Sequence, residues 1–120
     1  MEFKYTRLYS DSRGESRFED KTIPMRSAGT IGFLSELFPV EGIIFREVEA
    51  NYDYDFHHAP QRQFLVLLDG EIEIETSLGE KRTFKAGDVL LLEDVTGKGH
   101  RTRNVRQEPR RSLFIPLREP

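Results

Sequence analysis

Apolar and polar positions alternate along most of this chain. GEIEIETS (70–77) places Ile72 and Ile74 on one face of an extended segment and Glu71, Glu73 and Glu75 on the other. That period of two is the mark of a strand buried on one side. FLVLLDG (64–70), just before it, is a continuous apolar run ending in Asp69-Gly70, a strong hairpin signal. Carrying the alternation across this turn puts Gln63, Leu65 and Leu67 on the same inward face as Ile72 and Ile74, since a one-residue slip would expose both isoleucines. SLGE (77–80) and KAGD (85–88) read as turns on either side of a short KRTF strand. DVLLLED (88–94) is another buried strand, and DVTGKGH (94–100) is a loop in which Gly97 and Gly99 allow a tight turn and close backbone approach before His100. HRTRN (100–104) alternates again. SLFIPL (112–117) is a late apolar strand whose Pro116 calls for an edge or a strand end.

Upstream, KYTRLYS (4–10) and GIIFREVEA (42–50) read as strands, while TIGFLSELF (30–38) reads as a strand or a short helix. Ile23-Pro24 and Phe38-Pro39 interrupt this half. Short strands spaced every 8–12 residues, with no sustained helical period, predict an all-β barrel or sandwich. No repeat, low-complexity tract or linker divides the chain, so a single domain spanning residues 1–120 is expected.

Composition narrows the function classes. Charged residues make up 32% with both signs interspersed, and the net charge is -3. The basic excess needed to grip a phosphate backbone is missing, so nucleic acid is not an expected partner; the Arg101–Arg111 cluster reads as a solvated rim. With no cysteine, disulfides, thiolate metal sites and thiol nucleophiles are excluded. No segment reaches the ~18 apolar residues of a membrane span, and the N-terminus has no apolar leader core, so a soluble cytoplasmic protein with no membrane role is expected.

The candidate chemistry sits in two stretches, FHHAPQRQFLVLLDG (56–70) and GDVLLLEDVTGKGHRTRN (87–104), which hold all three histidines. These stretches resemble the paired motifs of the cupin superfamily. The first family motif has a leading glycine, two histidines one residue apart, a glutamate and a closing glycine. Counting back from Gly70, Gln63 stands at the glutamate position, His58 at the second histidine, Phe56 at the first and Ala50 at the leading glycine. In the second motif Gly87 opens and His100 and Asn104 close, with Glu93 in place of the proline and a slightly longer loop. The resemblance implies a jelly-roll barrel, a double-stranded β-helix, whose interior holds the site.

It also implies a divalent metal ion. Metal-bearing cupins supply imidazoles and a carboxylate, a set suited to Fe, Mn, Ni or Zn. Here the corresponding residues are His58, Gln63 and His100, with water completing the sphere. Phe56 cannot ligate, and Gln63 offers a neutral carbonyl. His57 faces away from His58 in a regular strand, but the Pro60 bend keeps it as a candidate. Gln61, Tyr54 and Asn104 are further cavity candidates. The other reading is metal-free: His58, Gln63 and His100 are polar groups that face a cavity and bond one another, water or a ligand. Arg62 is expected outward, read as paired with a glutamate of the next strand or as an anchor for a substrate carboxylate. Glu93 and Asp94 are read as loop-capping residues or as a general base with a pKa raised by burial.

Two functions follow. One is a metal-dependent enzyme acting on a small polar molecule, of dioxygenase, isomerase or epimerase type. The other is a metal-free binding or sensing module without catalysis. A homodimer is expected in either case. Compact cupins pair through N-terminal strands, and IGFLSELF carries more apolar surface than the barrel needs.

Overall fold

The computed structural model describes residues 1–119, and apart from a single short 3-10 turn its regular structure is entirely strand. The elements are β1 (Glu2–Ser10), β2 (Ser16–Pro24), β3 (Arg26–Ser27), β4 (Phe33–Leu34), β5 (Ile44–Val48), β6 (Asp53–His57), β7 (Gln63–Leu67), β8 (Glu71–Thr76), β9 (Lys81–Lys85), β10 (Val89–Glu93), β11 (His100–Asn104) and β12 (Arg110–Pro116). They form a six-stranded sheet, β2-β1-β10-β7-β12-β5, and a four-stranded sheet, β6-β11-β8-β9, with β3 and β4 as a separate ribbon. All pairings in the two large sheets are antiparallel except β1 with β10.

The inward faces of the two sheets meet in one core. Leu65 and Leu67 of β7, Leu90 and Leu92 of β10 and Leu8 of β1 pack against Ile72 and Ile74 of β8 and Phe84 of β9. Ile72 and Ile74 are 0% and 1% exposed, as the alternation requires. Each such side chain contributes about 1.5–3 kcal/mol by leaving water, so register and burial enforce each other.

The structure departs from the sequence reading at four points. Asp69-Gly70 does not close a hairpin: β7 and β8 lie in different sheets, and the turn carries the chain across the core. Gly70 still takes a positive φ of 72°, and a Cβ there would lie 2.8 Å from the Arg110 Cβ. The turn chemistry was legible, but whether the next strand pairs or crosses over depends on partners distant in sequence. TIGFLSELF forms neither a full strand nor a helix; it supplies a 3-10 turn at Gly29–Ile31 and the two residues of β4. A strand over Ser16–Pro24, hidden by its charged residues, pairs along the whole of β1. Pro116 is the last residue of β12, which lies between β7 and β5, so its strand-end reading holds and its edge reading does not.

β5 is a sheet edge, paired only with β12. Phe45 on it is 79% exposed, and Ile31 and Leu37 nearby in sequence are 72% and 94% exposed.

Two glycines let loops meet. Lys98 N donates to the Gly14 carbonyl at 2.9 Å, drawing the loop before β11 onto the β1–β2 turn, and Gly97 faces Gly14 there. Gly99, at φ 77°, runs so close to the His57 carbonyl that a Cβ would overlap it. Gly79, in the β8–β9 turn, has φ 90° and open space around it. Alanine at Gly79 therefore costs only the left-handed backbone, about 1–2 kcal/mol. Alanine at Gly99 adds a backbone collision and should cost at least ~1 kcal/mol more. Urea unfolding of the two variants tests this; equal losses would refute the close-approach argument.

Candidate functional site

Leu90 and Leu92 of β10 point inward, and the same parity carries Asp94, just past the strand, to 0% exposure. A buried carboxylate needs donors. Asp94 Oδ2 accepts from Ser16 Oγ at 2.9 Å and from His100 Nδ1 at 2.5 Å, while its backbone carbonyl accepts from Ala59 N at 2.9 Å. With the His100 Nδ1 proton committed to Asp94, the Nε2 of His100 is the nitrogen left for the cavity that the ring lines.

His57 is its neighbour across the β6–β11 ladder. The register explains why. Thr102 pairs with Tyr54 but His100 pairs with His57, so β6 carries one extra residue between Tyr54 and His57. This bulge reverses the parity of β6 beyond it. The Asp55 carboxylate supports it locally by accepting from Phe56 N at 2.8 Å. His57 Nδ1 donates to the Asp55 carbonyl at 2.9 Å, which again leaves Nε2 free. Its ring stacks on Tyr54 at 3.7 Å between centroids and stands 4.6 Å from the His100 ring. Burial pushes the His57 pKa below its ordinary value, with the nearby His100 acting in the same direction; the Asp55 carbonyl opposes the shift.

The two imidazoles line a cavity of about 30 Å³ inside the barrel. Arg46 of β5, Tyr52 and Thr102 supply its other polar atoms, and Leu65, Ile74, Leu92 and Phe114 its apolar wall. Arg46 donates Nε to Ser112 Oγ at 3.1 Å and lies over the Phe114 ring at 4.3 Å. Burial lowers its pKa, and Tyr52 works against that.

Of His58, Gln63 and His100, only His100 lines this cavity. His58 is exposed, with Nδ1 3.2 Å from the Ala59 carbonyl. The cause is the bulge: unbroken alternation from Tyr54 would turn Phe56 and His58 inward, and the extra residue hands that place to His57. Gln63 is 3% exposed and its Oε1 has no partner among the described residues, yet it does not line the cavity. Gln61 is exposed. Tyr54 reaches the site by stacking on His57 while remaining 51% exposed.

Asn104 is buried as a clamp, not as a cavity wall. Its Nδ2 donates to the Glu49 and Ala50 carbonyls at 3.1 Å, and its Oδ1 accepts from Arg110 Nε at 2.7 Å. Among the described residues no group of three His, Cys, Asp or Glu side chains has the geometry to hold a metal ion.

Glu93 has the parity opposite to Asp94 and bridges Arg7, at 2.5 Å, and Arg62, also at 2.5 Å. Burial would raise its pKa, but the two guanidiniums hold it below the ordinary carboxylate value. Arg62 thus pairs with Glu93 and Glu119, not with β8. Arg46 and Thr102 line the cavity and were missed as site residues. For Arg46 the signal was present, since GIIFREVEA places it on one face with Ile44 and Val48. A charged residue on an apolar face of a strand is worth following inward.

The same architecture occurs in solved structures. The cupin domain of Cnp3 from Schizosaccharomyces pombe superposes with a TM-score of 0.53 at 15% identity, over 98% of this chain and 84% of that one. A sugar phosphate isomerase of the cupin superfamily from Silicibacter pomeroyi superposes with a TM-score of 0.50 at 19% identity, over 65% of this chain and only 50% of that one. No protein-family model and no curated protein sequence matches the chain. The likeness is one of fold: this chain forms a cupin β-barrel.

The His57 shift has a definite sign. The unfolded chain binds the histidine proton at a pKa of about 6.5 and the folded chain binds it less readily. The contribution of this group to stability is therefore complete above about pH 6.5 and is lost as pH falls through the folded pKa. Titration of the histidine ring signals by NMR should give His57 a pKa below 6.5. A value at or above that would contradict the burial argument. His57→Gln should reduce the loss of stability between about pH 7 and 5.

Proposed function

We propose that this barrel binds a small polar molecule in its interior without a metal ion. The observation that carries the reading is Arg46, a permanent cation on the wall of the cavity that His57 and His100 share. A divalent ion would be repelled by it. The donor set points the same way. Two imidazoles are available, the Asp94 carboxylate is engaged by the far nitrogen of His100, and His58 is turned to solvent. A centre of Fe, Mn, Ni or Zn does not fit these residues.

A ligand is met instead by two ring nitrogens, each with a lone pair and each oriented by a bond from its other nitrogen. Such nitrogens accept a hydrogen bond or a proton. The 2.5 Å contact between Asp94 and His100 favours a second reading, proton-transfer catalysis of the isomerase or epimerase kind. A buried carboxylate holds the ring in one tautomer and stabilises the imidazolium that proton uptake creates. Elemental analysis of untagged protein, purified without chelator, separates these readings from a metal enzyme. Far less than one ion per chain is expected, before and after incubation with Zn or Mn. One ion per chain that disappears in His100→Ala would overturn the proposal.

The apolar surface at the β5 edge is assigned to a second copy of this chain. An open edge strand bearing large apolar side chains invites pairing with another strand. Light scattering at micromolar concentration should give twice 14.0 kDa, and Phe45→Lys should shift it towards the monomer. A monomeric mass for the unaltered protein would refute this assignment.

A further inference from the structure

Most arginines of this chain meet a carboxylate at the surface. Arg46 and Arg110 turn inward, and neither has a carboxylate within 4.0 Å among the described residues. Arg110 is 1% exposed, and its Nη1 and Nη2 are buried without partners. Its guanidinium stands 5.1 Å from the centre of the Tyr52 ring, and that of Arg46 stands 5.6 Å from the same ring. Among the described residues the one fully buried carboxylate, Asp94, accepts from Ser16 and His100 through Oδ2, and its Oδ1 is buried without a partner. The barrel therefore holds two neighbouring positive charges, Arg110 buried and Arg46 part-buried, with no counter-ion of their own among the described residues. In a poorly solvated interior that arrangement is costly, because each charge lacks a partner.

We infer that the ligand of this cavity is a small carboxylate, seated on the Arg46 guanidinium, with Arg110 adding positive potential from beyond Tyr52. The inference rests on the metal-free reading above and names the class of molecule that site takes. Arg46 is held ready for an anion, since Ser112 engages its Nε and the Phe114 ring supports the guanidinium. A planar guanidinium matches the two oxygens of a carboxylate. The apolar wall at Leu65, Ile74 and Phe114 receives a short hydrocarbon body. The free nitrogens of His57 and His100 accept from a hydroxyl, so a hydroxycarboxylate uses the site more fully than a plain one. Burial and the charge of Arg46 push the Arg110 pKa down to about 10, a strain that an anion nearby relieves.

The test uses glycolate, acetate and inorganic phosphate as probes, at ionic strength matched with chloride. Melting temperature and the NMR signals of Arg46 Nε–H and the histidine rings are the readouts. Glycolate should raise the melting temperature saturably and shift both sets of signals, with acetate acting more weakly and chloride not at all. Arg46→Met, similar in length and apolar, should weaken glycolate binding roughly 10- to 100-fold. Arg46→Lys should fall between. If the methionine variant does not melt cooperatively, the Arg46 signal of the unaltered protein decides. Absence of any carboxylate effect, or equal binding by a folded Arg46→Met protein, overturns the inference. Saturation by phosphate alone overturns the carboxylate assignment. Metal content of the same samples reports separately on the earlier reading: a stoichiometric ion with glycolate still on Arg46 sinks that reading alone. An ion-free protein blind to glycolate sinks only this one.

Discussion

Asp94 joins three parts of the molecule that lie far apart in sequence. Ser16, at the start of β2, and His100, at the start of β11, belong to different sheets, and both donate to the same carboxylate oxygen. Ala59 N, in the connection between β6 and β7, donates to the backbone carbonyl of the same residue. A buried carboxylate without donors is strongly unfavourable, so these bonds tie the mouth of the barrel together. They also fix which nitrogen of His100 faces the interior. The stability of this end and the chemistry of the cavity therefore depend on one group.

The backbone makes room for that arrangement. Gly99 brings the end of the loop against the His57 carbonyl, and Gly97 meets Gly14 on the adjoining turn. The bulge in β6 then turns His57 towards His100. Without the bulge, Phe56 would occupy the inward position and the two imidazoles would not share a wall. The polar end of the cavity results from one extra residue in one strand.

Charge inside the barrel and charge at its surface carry different energetic costs. Surface ion pairs such as Arg101 with Asp53 are screened by water and contribute little. Arg110 is different: it is buried, bonded through Nε to Asn104 and packed across Gly70. Asn104 in turn holds the backbone at Glu49 and Ala50, so Arg110 is locked in place by the loops that it closes. That charge stands close to Tyr52, a wall of the cavity that His57 and His100 share.

How much of this was legible in the sequence follows the range of each interaction. Alternation is local, so the burial of Ile72, Ile74, Leu65 and Leu67, and the strands that carry them, could be read from the order of residues alone. The spacing of the histidine stretches was enough to indicate the cupin barrel, and the glycines before His100 announced a close approach. Asp69-Gly70 announced a turn, but not that the turn crosses between sheets, because pairing is decided by strands distant in sequence. The choice between His57 and His58 could be posed from the sequence but not decided, for a related reason. A bulge without glycine leaves no clear mark on the order of residues, and it shows only when β6 is laid against β11. The inward course of Arg46 and Arg110 likewise emerges only when β5 and β12 pair, since a charged side chain on an alternating strand reads as surface until the face it shares is seen to be buried.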